Sequence, residues 1–212
     1  MKEPIPDAPC RRAPATLAMD LRKQIHNQFA RLHPRRLTAG YSREAAVLMP
    51  IFEQEGESFF LLTRRTEEVS THKGQISFPG GMRHNGESLE YTALRETFEE
   101  VGIGPDHVEI LGRFHDYKSI TGHLVAPFAG YIKGTFAIVP QAAEVAEVLR
   151  VPFAIFTDPR RLRTERMYRA GSMMDVYFYR YEPYEIWGLT AHIIKDFFDA
   201  FRLCQTRQPE SG

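Results

Sequence analysis

The sequence predicts an α+β domain, and three observations carry that prediction. Apolar residues recur at three- and four-residue steps near both ends of the 212-residue chain. The stretch between is divided into apolar runs of strand length. A glycine pair, Gly80-Gly81, then precedes a strongly helical segment that starts at Ser88. Charged residues make up 25% and the AVILMFWYC set 43%, an ordinary globular composition at a length that can bury one core.

Taken in order, residues 1–14 hold Pro4, Pro6, Pro9 and Pro14 and read as an extended, flexible N-terminal tail. One domain is expected over 15–204, with 205–212 a frayed end. From Thr16 to Leu32, Leu17, Leu21, Ile25, Phe29 and Leu32 give an amphipathic helix that stops before Pro34. Ala45 to Phe52 and Ser58 to Thr63 flank a Gln54-Glu55-Gly56 turn and predict an antiparallel hairpin. Further strands are expected near Val108–Phe114, Leu124–Ile132, Val145–Val151 and Met174–Tyr181. A last helix should run from about Ile186 to Leu203.

Lys+Arg and Asp+Glu both number 27, so no net basic field is available to hold nucleic acid or an anionic membrane. The early arginines, Arg11, Arg12, Arg22, Arg31, Arg35 and Arg36, are interrupted by Glu3, Asp7 and Asp20, which favours a solvated helix face over a transit peptide. No run approaches the roughly 18 apolar residues of a membrane span. Cys10 and Cys204 lack metal or disulfide spacing, and a reducing, cytoplasmic setting is expected.

The chemistry lies in the central helix. At about 100° per residue, Glu96, Glu99 and Glu100 share one face, and Tyr91, Leu94, Phe98 and Val101 are expected to form the opposite, buried one. Three like charges this close repel, and a hard divalent cation, Mg2+ or Mn2+, offsets the repulsion. The adjacent Gly80-Gly81 has no Cβ to obstruct backbone approach to the same ion or to phosphates. The bland alternative for such a cluster is a solvated acidic face.

The full spacing decides between them. Five residues separate Gly81 from Glu87 and seven separate Glu87 from Arg95-Glu96; Glu99-Glu100, Gly102 and Ile103 follow. Residues 81–103 thus resemble the Nudix box, G-x5-E-x7-R-E-U-x-E-E-x-G-U with U apolar, the one departure being Thr97 at the first U. The resemblance implies the Nudix fold, a mixed β-sheet sandwiched between α-helices. It implies metal ligation by Glu96 and Glu100, with Glu99 a further ligand or the general base and the Gly81 carbonyl a contributor. Arg95 and Glu87 become a forked pair that orients loop against helix.

Upstream, Leu61-Leu62-Thr63-Arg64-Arg65-Thr66 through Gly74-Gln75-Ile76-Ser77-Phe78-Pro79-Gly80-Gly81 is similar to the signature of coenzyme A diphosphatases, L-L-T-x-R-S-x-x-L-x-x-H-x-G-Q-I-S-F-P-G-G. Thr66 and Val69 replace the usual Ser and Leu, and His84 stands where an acid is common. The resemblance implies hydrolysis of coenzyme A or acyl-CoA to 3′,5′-ADP and the 4′-phosphopantetheine. Arg64, Arg65 and Lys73 are then candidate ligands of the 3′-phosphate, Gly80 lies against the phosphates, and His72 braces the loop. Glu147, with Glu144 beside it, is a candidate base. Trp187 and Tyr177-Phe178-Tyr179 are read as core.

Two rivals stand beside this reading. One keeps the machinery and changes the small-molecule substrate to ADP-ribose, a dinucleotide or a nucleoside triphosphate. The other is a noncatalytic nucleotide-binding module, which has no need of three clustered carboxylates. A homodimer is common in proteins of this kind.

Overall fold

The computed structural model describes residues 20–66, 74–169 and 172–201. The expected tail at 1–14, the frayed end at 205–212, both cysteines, His72 and Lys73 lie outside them. The first helix, α1, spans Leu21–Phe29; Asp20 caps it by accepting the Arg22 N–H at 3.1 Å. It ends three residues before the expected Leu32, which instead packs on the core from the following turn.

The predicted hairpin is present as β1 (Glu44–Gln54) and β2 (Glu57–Arg65), antiparallel, with Ile51 opposite Phe60. Glu55 and Gly56, at φ 54° and 82°, make the left-handed turn that such short hairpins require. Then come β3 (Ile76–Ser77), β4 (Gly80–Met82), α2 (Leu89–Val101), β5 (Val108–Arg113), β6 (Tyr117–Lys118), β7 (Leu124–Ile132) and β8 (Val145–Pro152). The chain closes with α3 (Phe153–Thr157), β9 (Leu162–Arg169), β10 (Ser172–Tyr181), β11 (Tyr184–Trp187) and α4 (Leu189–Phe201).

The large sheet runs β3-β2-β1-β7-β5, with β4 on β1, β6 on β7 and β8 on β2. It is mixed, because β1 and β7 are parallel while their other partners are antiparallel. Pleat alternation divides its side chains between two cores. Phe60, Leu62, Met49 and Leu149 face α1 and α4, whereas Leu61, Leu48, Ala46 and Phe128 face α2. The sheet therefore sits between helices, as the Nudix resemblance implies. A second, antiparallel sheet runs β11-β10-β9.

Three expectations are corrected. Ile186 and Trp187 belong to β11, paired with Tyr179 and Phe178, and α4 begins at Leu189 after Gly188 turns the chain at φ 71°. Trp187 is not core as expected: it is exposed, stacked on the Phe178 ring from the surface of the small sheet. The strand β9 lies outside those expectations: half of its residues are charged, it has no apolar run, and only pairing with β10 makes it a strand. The face of α2 is also different: Tyr91 and Phe98 are each 55% exposed, and Thr92, Ala93, Thr97, Glu100 and Val101 are buried. Short side chains let this helix lie close on β1 and β4. Thr97 is accommodated because its hydroxyl donates to the Ala93 carbonyl at 2.7 Å.

Candidate active site

Local sequence builds the site from β4 into α2. Ser88 caps the helix, its Oγ accepting the Tyr91 N–H at 3.1 Å, and Gly102 ends it in the left-handed region at φ 76°. On the other side, Gly80 and Gly81 pair with Val47 and Ala46 of β1. A Cβ on Gly80 would stand 2.4 Å from the Ala46 carbonyl oxygen. One on Gly81 would stand 2.4 Å from Cδ of Glu96 and 2.5 Å from both its carboxylate oxygens. The glycines are what bring strand backbone and Glu96 carboxylate together.

Arg95 organises the carboxylates. Its Nε donates to Glu87 Oε1 at 2.9 Å and its Nη2 to Glu87 Oε2 at 3.2 Å, while Nη1 lies 2.8 Å from both Glu96 Oε1 and Glu99 Oε2. Nη2 also reaches the Met82 carbonyl at 3.3 Å, tying helix to loop. Glu87 accepts further bonds from the His84 N–H at 3.1 Å and the Thr92 hydroxyl at 3.0 Å. The Arg95 hydrogen bonds, helped by those two, hold the Glu87 carboxyl down to about 2 despite its partial desolvation. Thr92 was not singled out from the sequence, although its place five residues after Glu87 puts it within reach.

Glu100 is 4% exposed, and burial pushes its carboxyl up to about 8, assisted by the Glu96 and Glu144 charges and opposed by Arg65 and the Gly80 amide. Its Oε2 has no hydrogen-bond partner among the described residues. Burial also raises Glu96, while Glu99 stays half exposed. Among the described residues no three His, Cys, Asp or Glu side chains form a preformed metal cage. Mg2+ does not require one, since it keeps waters and binds through one or two carboxylates plus substrate phosphates. An orphaned, buried carboxylate oxygen beside a desolvated second carboxylate and a backbone without Cβ is a donor set that fits such an ion.

The remaining candidates divide across the sheet. Arg65 shares the α2 face with Leu61, and its Nη1 lies 3.8 Å from Glu100 Oε1 and its Nη2 3.9 Å from Glu144 Oε2. The pleat turns Arg64 and its strand partner Glu147 to the α4 face, with Leu62 and Leu149. There the Arg64 Nε donates to Glu147 Oε2 at 3.4 Å, and the Tyr184 hydroxyl makes a short bond to the same oxygen. The structure thus brings Glu144, and not Glu147, toward the box carboxylates.

The NUDIX domain family model matches residues 42–170, a span that takes in both glycines, the α2 carboxylates, Arg64 and Arg65. The chain belongs to the Nudix family. Nudix hydrolase NudL of Photorhabdus laumondii, named as uncharacterized, is 38% identical over 162 residues, 76% of this chain and 86% of the relative. NudL of Citrobacter koseri is 37% identical over 155 residues, 73% of this chain and 80% of its own length. A MutT/nudix family protein from Enterococcus faecalis shares the fold at a TM-score of 0.50 and 16% identity, covering 84% of this chain and 68% of that one. This chain is accordingly a Nudix hydrolase, with its box on β4 and α2. No helix among its described residues is long and apolar enough to cross a membrane.

Proposed function

We propose that this Nudix hydrolase splits the diphosphate of coenzyme A or an acyl-CoA to 3′,5′-ADP and the corresponding 4′-phosphopantetheine. The observation that carries the reading is the junction of the upstream signature with the box. Arg65, on β2, stands 3.8 Å from Glu100, and the Gly80 amide donates to the same carboxylate, so both ends of the signature meet at the buried side chain. A signature similar to that of coenzyme A diphosphatases is therefore joined to the reaction centre.

In this reading Glu96 and Glu100 hold Mg2+ or Mn2+, with the Gly81 carbonyl contributing. The ion supplies polarisation of the phosphoryl oxygen and a lowered pKa for a coordinated water. Arg65 neutralises charge on the diphosphate. Glu99, half exposed and tethered to Arg95, is the carboxylate free to turn inward as ligand or base. The noncatalytic rival is disfavoured because burying Glu100 with its Oε2 left without a hydrogen bond costs stability that a binding module has no reason to bear.

The test is a mass-resolved product assay with coenzyme A, ADP-ribose and a dinucleotide in parallel, each with Mg2+ or Mn2+. Preferential release of 3′,5′-ADP with 4′-phosphopantetheine is expected. Preferred cleavage of another compound would overturn the substrate and keep the chemistry, and no cleavage of any would revive the binding module.

A further inference from the structure

Arg64 and Glu147 take no part in the centre on the α2 face, yet they are built into a group of their own. Arg64 Nε donates to Glu147 Oε2 at 3.4 Å, and Tyr184 donates its hydroxyl to that same oxygen from β11 of the second sheet. The Arg64 guanidinium carbon also lies 5.8 Å from the centre of the Tyr184 ring. Arg64 is thus held by the Glu147 carboxylate and by the Tyr184 side chain, and among the described residues its guanidinium makes no further hydrogen bond. That leaves the fork of a guanidinium, the geometry suited to two oxygens of a phosphate.

The placement is selective. Arg65, one residue on, faces α2 and stands beside Glu100, so it belongs to the diphosphate. Arg64 faces the other way, and a second phosphate separated from the diphosphate by a ribose needs a cation set apart from the metal centre. We infer that Arg64 presents its free edge to the 3′-phosphate and that Tyr184, acting through Glu147, is the residue that positions it. This rests on the coenzyme A reading proposed above. Tyr184 touches neither the box nor Arg65; it is a positioning residue, and the strand that carries it ties the small sheet to substrate selection.

The experiment compares coenzyme A with dephospho-coenzyme A, the same diphosphate without the 3′-phosphate, in the full-length protein. Loss of one hydrogen bond in Tyr184→Phe raises KM for coenzyme A about three- to tenfold. Its kcat, and both constants for dephospho-coenzyme A, stay as they were. Glu147→Gln shifts the same constant in the same direction, and Arg64→Ala removes the preference between the two substrates. Equal shifts on both substrates in Tyr184→Phe would mark a merely structural role and overturn the inference, as would no shift at all. If the unmodified protein hydrolyses both substrates with equal KM, the 3′-phosphate subsite itself is wrong; if it does not hydrolyse coenzyme A, the substrate reading fails first.

Discussion

Glu87 and Arg95 form a two-pronged pair, with Nε to Oε1 at 2.9 Å and Nη2 to Oε2 at 3.2 Å, that locks the loop after β4 onto α2. The remaining nitrogen of the same guanidinium holds Glu96 and Glu99 at 2.8 Å. One side chain therefore sets both the loop and the spacing of the acids. Arg95→Lys keeps the charge and loses the fork. We expect kcat to fall by about one to two orders of magnitude, in line with the loss of a supporting partner at a metal site. Steady-state kinetics checks this, with circular dichroism to confirm that the fold persists.

Gly81→Ala should behave as a lesion of Glu96. The added methyl would stand 2.4 Å from the Glu96 carboxyl carbon, so the carboxylate must leave its place. Turnover should fall about a hundredfold or more. The affinity for Mn2+, read by electron paramagnetic resonance, should drop in parallel.

Glu100 gives a pH signature in metal-free protein. Its carboxyl is raised from 4.5 to about 8 on folding, so between those values the folded state binds more protons than the unfolded one. Its unfavourable contribution is absent below pH 4.5, grows as pH rises and levels off above about 8. Within the window stability should fall with pH by up to about 1.4 kcal/mol per unit. Denaturant titrations in the presence of a chelator measure the slope. Glu100→Gln should flatten it, and added Mn2+ should restore stability at pH 8 in the unmodified protein only.

The two faces of α2 should respond oppositely to substitution. Phe98→Ser and Tyr91→Ser remove exposed rings and should change stability by no more than about 0.5 kcal/mol. Val101→Ala, in the packed face, should cost about 2 kcal/mol. Urea midpoints distinguish the two, and a large loss in Phe98→Ser would reverse the orientation of the helix.

That orientation shows where the sequence stops being legible. The hairpin, the Ser88 cap and the box spacing are local signals and could be read directly. The buried face of α2 could not, because proximity to β1 and β4 selects small residues there and leaves Phe98 outside. Glu100 was legible as an acid on the box helix, but its burial depends on β4 backbone contributed from elsewhere in the chain. The strand β9 is charged along its length, and only its pairing with β10 makes it a strand. Glu147 is a candidate base only through the Nudix resemblance; the pleat of β8 turns it to the other face, toward Tyr184, 37 residues away.

The most direct test of the account is turnover of coenzyme A by Glu96→Gln, assayed with Mg2+ and with Mn2+ beside the unmodified protein. The substitution keeps the size of the side chain and removes the charge of a carboxylate assigned to the metal. Loss of about a hundredfold or more in kcat, with an unchanged circular dichroism spectrum, is the predicted result. Undiminished turnover would contradict the assignment of α2 as the catalytic metal centre.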